Sequence, residues 1–150
     1  MTLAATDTTG RTKAPIWFWV VAILATLWNG MGVVDYVMTQ FRVEAYMASF
    51  SEEQLAFFYG FPAWFVAVWA TAIFSAFIAS IGLLMRKRWA EPLFGLAFFL
   101  FVINAVYQYA FIRAYAMMGN AGIIMSVLIG VSLLALLWFS RWAGQTKILR

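Results

Sequence analysis

A chain of 150 residues that is 65% hydrophobic and only 11% charged lies outside the range of water-soluble domains, which run ~45–50% apolar and ~25% charged. Its net charge of +4 comes without a single histidine or cysteine, which excludes disulfides, thiol chemistry and histidine-ligated haem and removes the usual zinc donors and proton shuttle. With a mean hydropathy of +0.87, the solvent that suits this surface is a bilayer, and basic residues in short tracts beside apolar segments read as topology signals rather than a nucleic-acid footprint.

The chain opens with a Thr-rich tail, residues 1–13, carrying Arg11 and Lys13. The first apolar stretch covers residues 14–37. It is too long for a signal-peptide core and lacks a small-residue cleavage site, so it is expected to persist as a membrane span. Its end is unusual. The run Trp28-Asn29-Gly30-Met31-Gly32-Val33-Val34-Asp35-Tyr36-Val37-Met38-Thr39-Gln40 places amides, a carboxylate and hydroxyls where polar groups are expensive. At 100° per residue Asn29, Tyr36 and Gln40 share one helix face, and Trp28, Gly32, Asp35 and Thr39 the adjacent one. Gly30 and Gly32 admit two readings: a local unwinding of the kind that carries transporter sites, or close packing of a neighbouring helix. Asp35 admits three: an interfacial ion pair with Arg113 or Arg42, a ligand contact, or a proton-coupling acid raised by burial.

The connection over residues 39–61 is the one sizeable loop. Ser51 followed by Gln54 predicts a capping box that opens a short helix. Leu55, Phe57, Phe58 and Phe61 predict that this helix lies flat on the outer leaflet or caps the bundle. Glu44, Glu52 and Glu53 make the loop acidic, either as a solvated surface or as an attractor of cations. Pro62 suits the first turn of a second span, residues 62–85, which carries Ala72, Ala76 and Ser80 at four-residue intervals.

The turn Arg86-Lys87-Arg88-Trp89-Ala90-Glu91 leads to a third span, residues 92–112, with a stripe of Asn104, Tyr107, Gln108, Phe111 and Tyr115. The fourth span, residues 119–139, carries Gly122, Ser126 and Gly130. Spans two and four run in the same direction, so their small-residue stripes are expected to meet each other or to form a contact between subunits. A basic tail, residues 140–150, closes the chain. The segments around Asn29–Tyr36 with Arg42–Met47, and around Asn104–Tyr107 with Arg113–Met117, echo one another weakly, as chance or as two tandem hairpins would produce.

The expected fold is therefore all-α: an integral membrane four-helix bundle, residues 14–139, with a short outer amphipathic helix. A closed barrel would need alternating ten-residue strands, which are absent. Four spans put both termini on one side. Arg11, Lys13, Arg86, Lys87, Arg88, Arg141, Lys147 and Arg150 fall there, and only Arg42 and Arg113 opposite, which makes the termini cytoplasmic. Trp17, Trp19, Trp64, Trp89, Trp138 and Trp142 lie near span ends, as interfacial anchors do.

Asn29 and Asn104 fall at matching depth on two outward-running spans. This predicts one ligand-binding site in the outer half, built from Asn29, Asp35, Tyr36, Gln40, Asn104, Tyr107 and Gln108. With Trp28 and Tyr109 nearby, such groups suit a sugar-like or quinone-like molecule. The competing reading is that the amides only join helices, at roughly 0.6–2 kcal/mol each. No phosphate-cradling loop, Ser/His/Asp set or metal-ligand spacing is present, so no catalytic residue, cofactor or metal is expected.

The run from Trp28 to Gln40, followed by Phe61-Pro62-Ala63-Trp64 and Arg86-Lys87-Arg88-Trp89-Ala90, resembles a family of small bacterial four-span membrane proteins, some of whose members carry a "sugar transporter" label. The resemblance covers most of the chain and implies a bacterial cytoplasmic membrane protein. It carries over no binding or catalytic residue. Two functions are expected: binding or transport of a small polar solute through the outer pocket, in a homo-oligomer, or a non-catalytic accessory role in a larger membrane complex. Lipid is the partner common to both, and nucleic acid is not expected.

Overall fold

A proline in extended conformation stands at the start of two spans. Pro15 precedes α1 (Ile16–Gln40) and Pro62 precedes α4 (Ala63–Leu84), where the missing N–H is no loss. The computed structural model describes residues 13–150; the expected N-terminal tail, with Arg11, lies outside these apart from Lys13. Two short helices, α2 (Glu44–Met47) and α3 (Glu52–Tyr59), fill the first loop. Beyond α4 come α5 (Ala90–Val106), continued by a π-helical turn over Tyr107–Phe111, and α6 (Tyr115–Gln145). Four helices are thus long and apolar enough to cross a membrane, and no strand occurs among the described residues.

The capping box forms as the sequence predicts. Ser51 Oγ accepts from the Gln54 N–H, and Gln54 Oε1 accepts from the Ser51 N–H. The α3 helix lies against α6, so it caps the bundle. Tyr59 at its end donates to the Thr39 carbonyl and Met47 Sδ, and the Arg42 guanidinium sits 4.1 Å above the Tyr59 ring. These contacts fold the loop back over the end of α1.

The last span is longer than expected. It starts at Tyr115, bends at Gly119, whose φ of 59° and ψ of −161° are non-helical, and runs six residues past 139. At 1.5 Å per residue its 31 residues reach ~46 Å, well beyond a hydrocarbon core of ~30 Å. The extra turns and the residues after them are built into the fold. Ile148 and Leu149 are buried in the core, the Arg150 N–H donates to the Arg86 carbonyl, and the Arg88 N–H donates to the Arg150 carbonyl. The chain end is thereby stitched to the α4–α5 turn.

Packing runs α1 beside α4, α4 beside α5, and α5 beside α6. At the end that carries both termini α1 also meets α6 through rings: Trp17 lies 4.9 Å from Trp142 and Phe18 5.6 Å from Phe139. The fully buried core sits in this half, around Phe18, Ala22, Leu83, Phe94, Ala97 and Ala143. Trp89 folds onto Gly82, where an added Cβ would lie 2.6 Å from its ring. The two small-residue stripes act within the chain, but not on each other. Ser80 on α4 serves α1, while Gly122, Ser126 and Gly130 face Tyr109 of the π-helical turn and Phe101 of α5. The reason is the neighbour order, which places α5 between their helices.

All four spans end alike. Arg42, Arg86, Arg113 and Lys147 are the non-glycine residues with positive φ, at 49–58°, and each stands just past the last turn of a span. After α1, α4 and α6 the paired backbone bonds of a Schellman motif form. These are Arg42 N–H to Thr39 O with Val43 N–H to Met38 O, Arg86 to Leu83 with Lys87 to Gly82, and Lys147 to Gly144 with Ile148 to Ala143. The role usually taken by glycine falls to a cation.

Candidate functional site

Asn29 and Asn104 begin from the same local arrangement. Each side-chain amide donates to the carbonyl four residues earlier, Asn29 Nδ2 to Ala25 O at 2.9 Å and Asn104 Nδ2 to Leu100 O at 3.0 Å. Each also lies beyond the last buried apolar residue of its helix, Ala25 on α1 and Ala97 on α5. There the likeness ends. Asn29 Nδ2 also donates to Ser80 Oγ at 2.9 Å, and Ser80 in turn donates to the Ala76 carbonyl. This chain joins α1 to α4. Asn104 is 4% exposed, and its Oδ1 has no hydrogen-bond partner among the described residues.

The remaining predicted site residues serve separate neighbours. Asp35 is exposed and accepts a hydrogen bond from the Tyr46 hydroxyl of α2, and so pairs with neither Arg42 nor Arg113. The hydrogen bond to Asp35, then burial, then the carboxylate charge hold the Tyr46 phenol pushed up to about 12. The Tyr36 ring packs edge-on against Trp69 at 5.0 Å and Phe74 at 6.0 Å, both on α4. Tyr107 sits in the π-helical turn between Trp64 at 4.8 Å and Phe65 at 5.0 Å. Gln108 contributes its backbone carbonyl to the Ala114 N–H, which closes that turn. Gln40 is the last residue of α1 and half-buried. No contact links the Asn29 group to the Asn104 group among the interactions described. The helix around Asn29-Gly30 is continuous, so the unwinding does not occur. Gly30 admits the Phe77 ring, 3.3 Å from where a Cβ would stand, whereas nothing lies within 4 Å of that point at Gly32.

Four partners escaped the sequence reading. Ser80 was visible only as a small residue in a stripe, although its place on the adjacent span was a usable signal for Asn29. Tyr46 lies eleven residues beyond Asp35, across a turn whose path no periodicity reveals. The Trp28 indole donates to Ser132 Oγ on α6 at 3.1 Å, and Tyr109 shares a 2.6 Å bond with Ser126 Oγ. Both aromatics, expected as company for a ligand, tie α6 to the bundle.

Two hollows open on the surface of the half away from the buried core, and both are apolar. The larger, of about 520 Å³, runs between α5 and α6 past Phe101, Tyr109 and Val127. The smaller, of about 440 Å³, lies beside Trp64, Val106 and Tyr107. Neither includes Asn29, Asp35 or Asn104. Among the described residues there is no cluster of three or more acidic, histidine or cysteine side chains able to hold a metal. The chemistry on display is hydrogen bonding between helices and ring packing. Comparison with family models, with curated proteins and with solved structures yields no match.

Proposed function

We propose that this chain is a non-catalytic accessory or structural subunit of a larger assembly in the bacterial cytoplasmic membrane, with both termini cytoplasmic. The observation that carries this reading is the Asn29–Ser80 bond. A buried amide near the middle of α1 holds a neighbouring helix rather than lining a cavity. The divided engagements of Asp35, Tyr36 and Tyr107 support it in the same way. The orientation rests on eight basic residues at one end against two at the other. The bacterial setting rests on the family resemblance of the Trp28–Gln40 run and the Arg86–Ala90 turn.

A second reading, binding or transport of a small polar, sugar-like solute, is favoured by one atom. A buried acceptor left unsatisfied costs about 1–3 kcal/mol, so Asn104 Oδ1 suits a hydroxyl donor. One experiment separates the two. The protein is extracted from native membranes into lipid nanodiscs, its particle composition is measured, and its thermal stability is recorded against a panel of sugars for wild type and Asn104→Leu. A stoichiometric complex with another membrane protein, with no sugar response, is the expected result. A lone protomer or homo-oligomer stabilised by a sugar in wild type but not in Asn104→Leu overturns it in favour of solute binding.

A further inference from the structure

The α5–α6 groove combines features that no helix contact accounts for. Its walls are apolar: Phe98 and Phe101 on α5, Tyr109 in the π-helical turn, and Tyr115, Val127 and Leu134 on α6. Gly130 lets the Phe101 ring settle into the floor, 2.8 Å from where a Cβ would stand. From Phe98 to Tyr109 the groove runs eleven residues, or ~16 Å at a helical rise of 1.5 Å. Half of a ~30 Å hydrocarbon core is ~15 Å, so the groove is as deep as one leaflet. Both tyrosines at its mouth are residues that favour the headgroup level.

A cation stands next to the mouth in sequence. Arg113 lies between Tyr109 and Tyr115 in sequence and is exposed, and among the described residues no carboxylate pairs with it. The other basic residue at this end, Arg42, is seated on the Tyr59 ring. An acyl chain matches the groove in depth and polarity, and a phosphate matches the cation two residues before Tyr115.

We propose that the α5–α6 groove is a binding site for one anionic phospholipid, with an acyl chain along Phe101 and Val127 and the headgroup phosphate on Arg113. The test reconstitutes the full chain in phosphatidylcholine nanodiscs doped with phosphatidylglycerol bearing a diazirine in its acyl chain. Adducts are mapped by mass spectrometry. Labelling should concentrate on α5 and α6 residues of the groove. It should fall about fivefold in Arg113→Gln, the effect of one basic residue at an anionic surface, and recover in Arg113→Lys. The same diazirine on phosphatidylcholine should label the groove at the reduced level, and Val127→Trp, at a lipid-facing position, should exclude both probes. Labelling spread evenly over the four spans, labelling independent of Arg113 or of headgroup charge, or a groove that takes no probe because another polypeptide fills it, would each overturn the proposal.

Discussion

Asn29 and Asn104 show how little residue type and depth say about use. Both are buried amides, and both bond back to their own helix. Only Asn29 finds a hydroxyl on the next helix. In membrane bundles such bonds average about 0.6 kcal/mol and reach about 1.7 kcal/mol. A double-mutant cycle of Asn29→Ala and Ser80→Ala, read by equilibrium unfolding in mixed micelles, should give a coupling in that range. Zero coupling would mean that the bond does not hold α1 to α4. Tyr46 makes a pH prediction. Its phenol loses its proton near 10 in the unfolded chain and at about 12 in the folded one. The folded state therefore holds this proton more tightly. The stability that follows is fully present below about pH 10 and is lost as pH rises toward 12. Tyr46→Phe should lack this alkaline component, and Asp35→Asn should shrink it; a decline of equal size in all three proteins would rule Tyr46 out as its source.

At the scale of the element, legibility depended on how local the cause was. The Ser51–Gln54 capping box could be read because both partners lie within one turn. The four spans could be read because length and hydropathy are sums over neighbours. The π-helical turn at Tyr107–Phe111 and the bend at Gly119 could not, because both adjust backbone to packing elsewhere. The cationic helix ends are an intermediate case. Lysine and arginine near a C-terminus favour the macrodipole, yet a left-handed conformation costs an L-residue roughly 1–2 kcal/mol. Lys147 is exposed at φ 58°. Lys147→Gly should relieve the strain and stabilise the protein by up to about 1 kcal/mol after the lost charge and glycine's extra entropy are deducted. Lys147→Ala keeps the strain and loses the charge, so it should fall below both. An alanine variant as stable as the glycine one would show that the left-handed geometry costs nothing here.

For the whole molecule, the decisive feature is where the two ends of the chain of helices are joined. The basic end is closed by rings from α1 and α6 and by Ile148 and Arg150, which hydrogen-bond to the α4–α5 turn. Residues 140–150 read from composition as a basic tail. In the fold Ile148 and Leu149 are 2% and 3% exposed, and only the charged positions around them face out. Ile148→Ala and Leu149→Ala should each destabilise by about 2 kcal/mol or more, the lower range for large-to-small changes in a core, measured by the same unfolding assay. Losses below about 0.5 kcal/mol would mean that the end segment is not docked.

The sequence by itself determined the all-helical class, the four spans and their alternation, and which end is basic. Each is a sum over adjacent residues, or over their charge, and needs no knowledge of neighbours in space. Tertiary structure decided what the polar residues do. Depth along a helix can be counted, but the rotation of one helix against the next cannot, and that rotation sends Asn29 to Ser80, leaves Asn104 Oδ1 without a partner and gives Asp35 to Tyr46. The one site anticipated from matching depths is thereby divided among separate contacts, because equal height in a membrane does not make two side chains face each other.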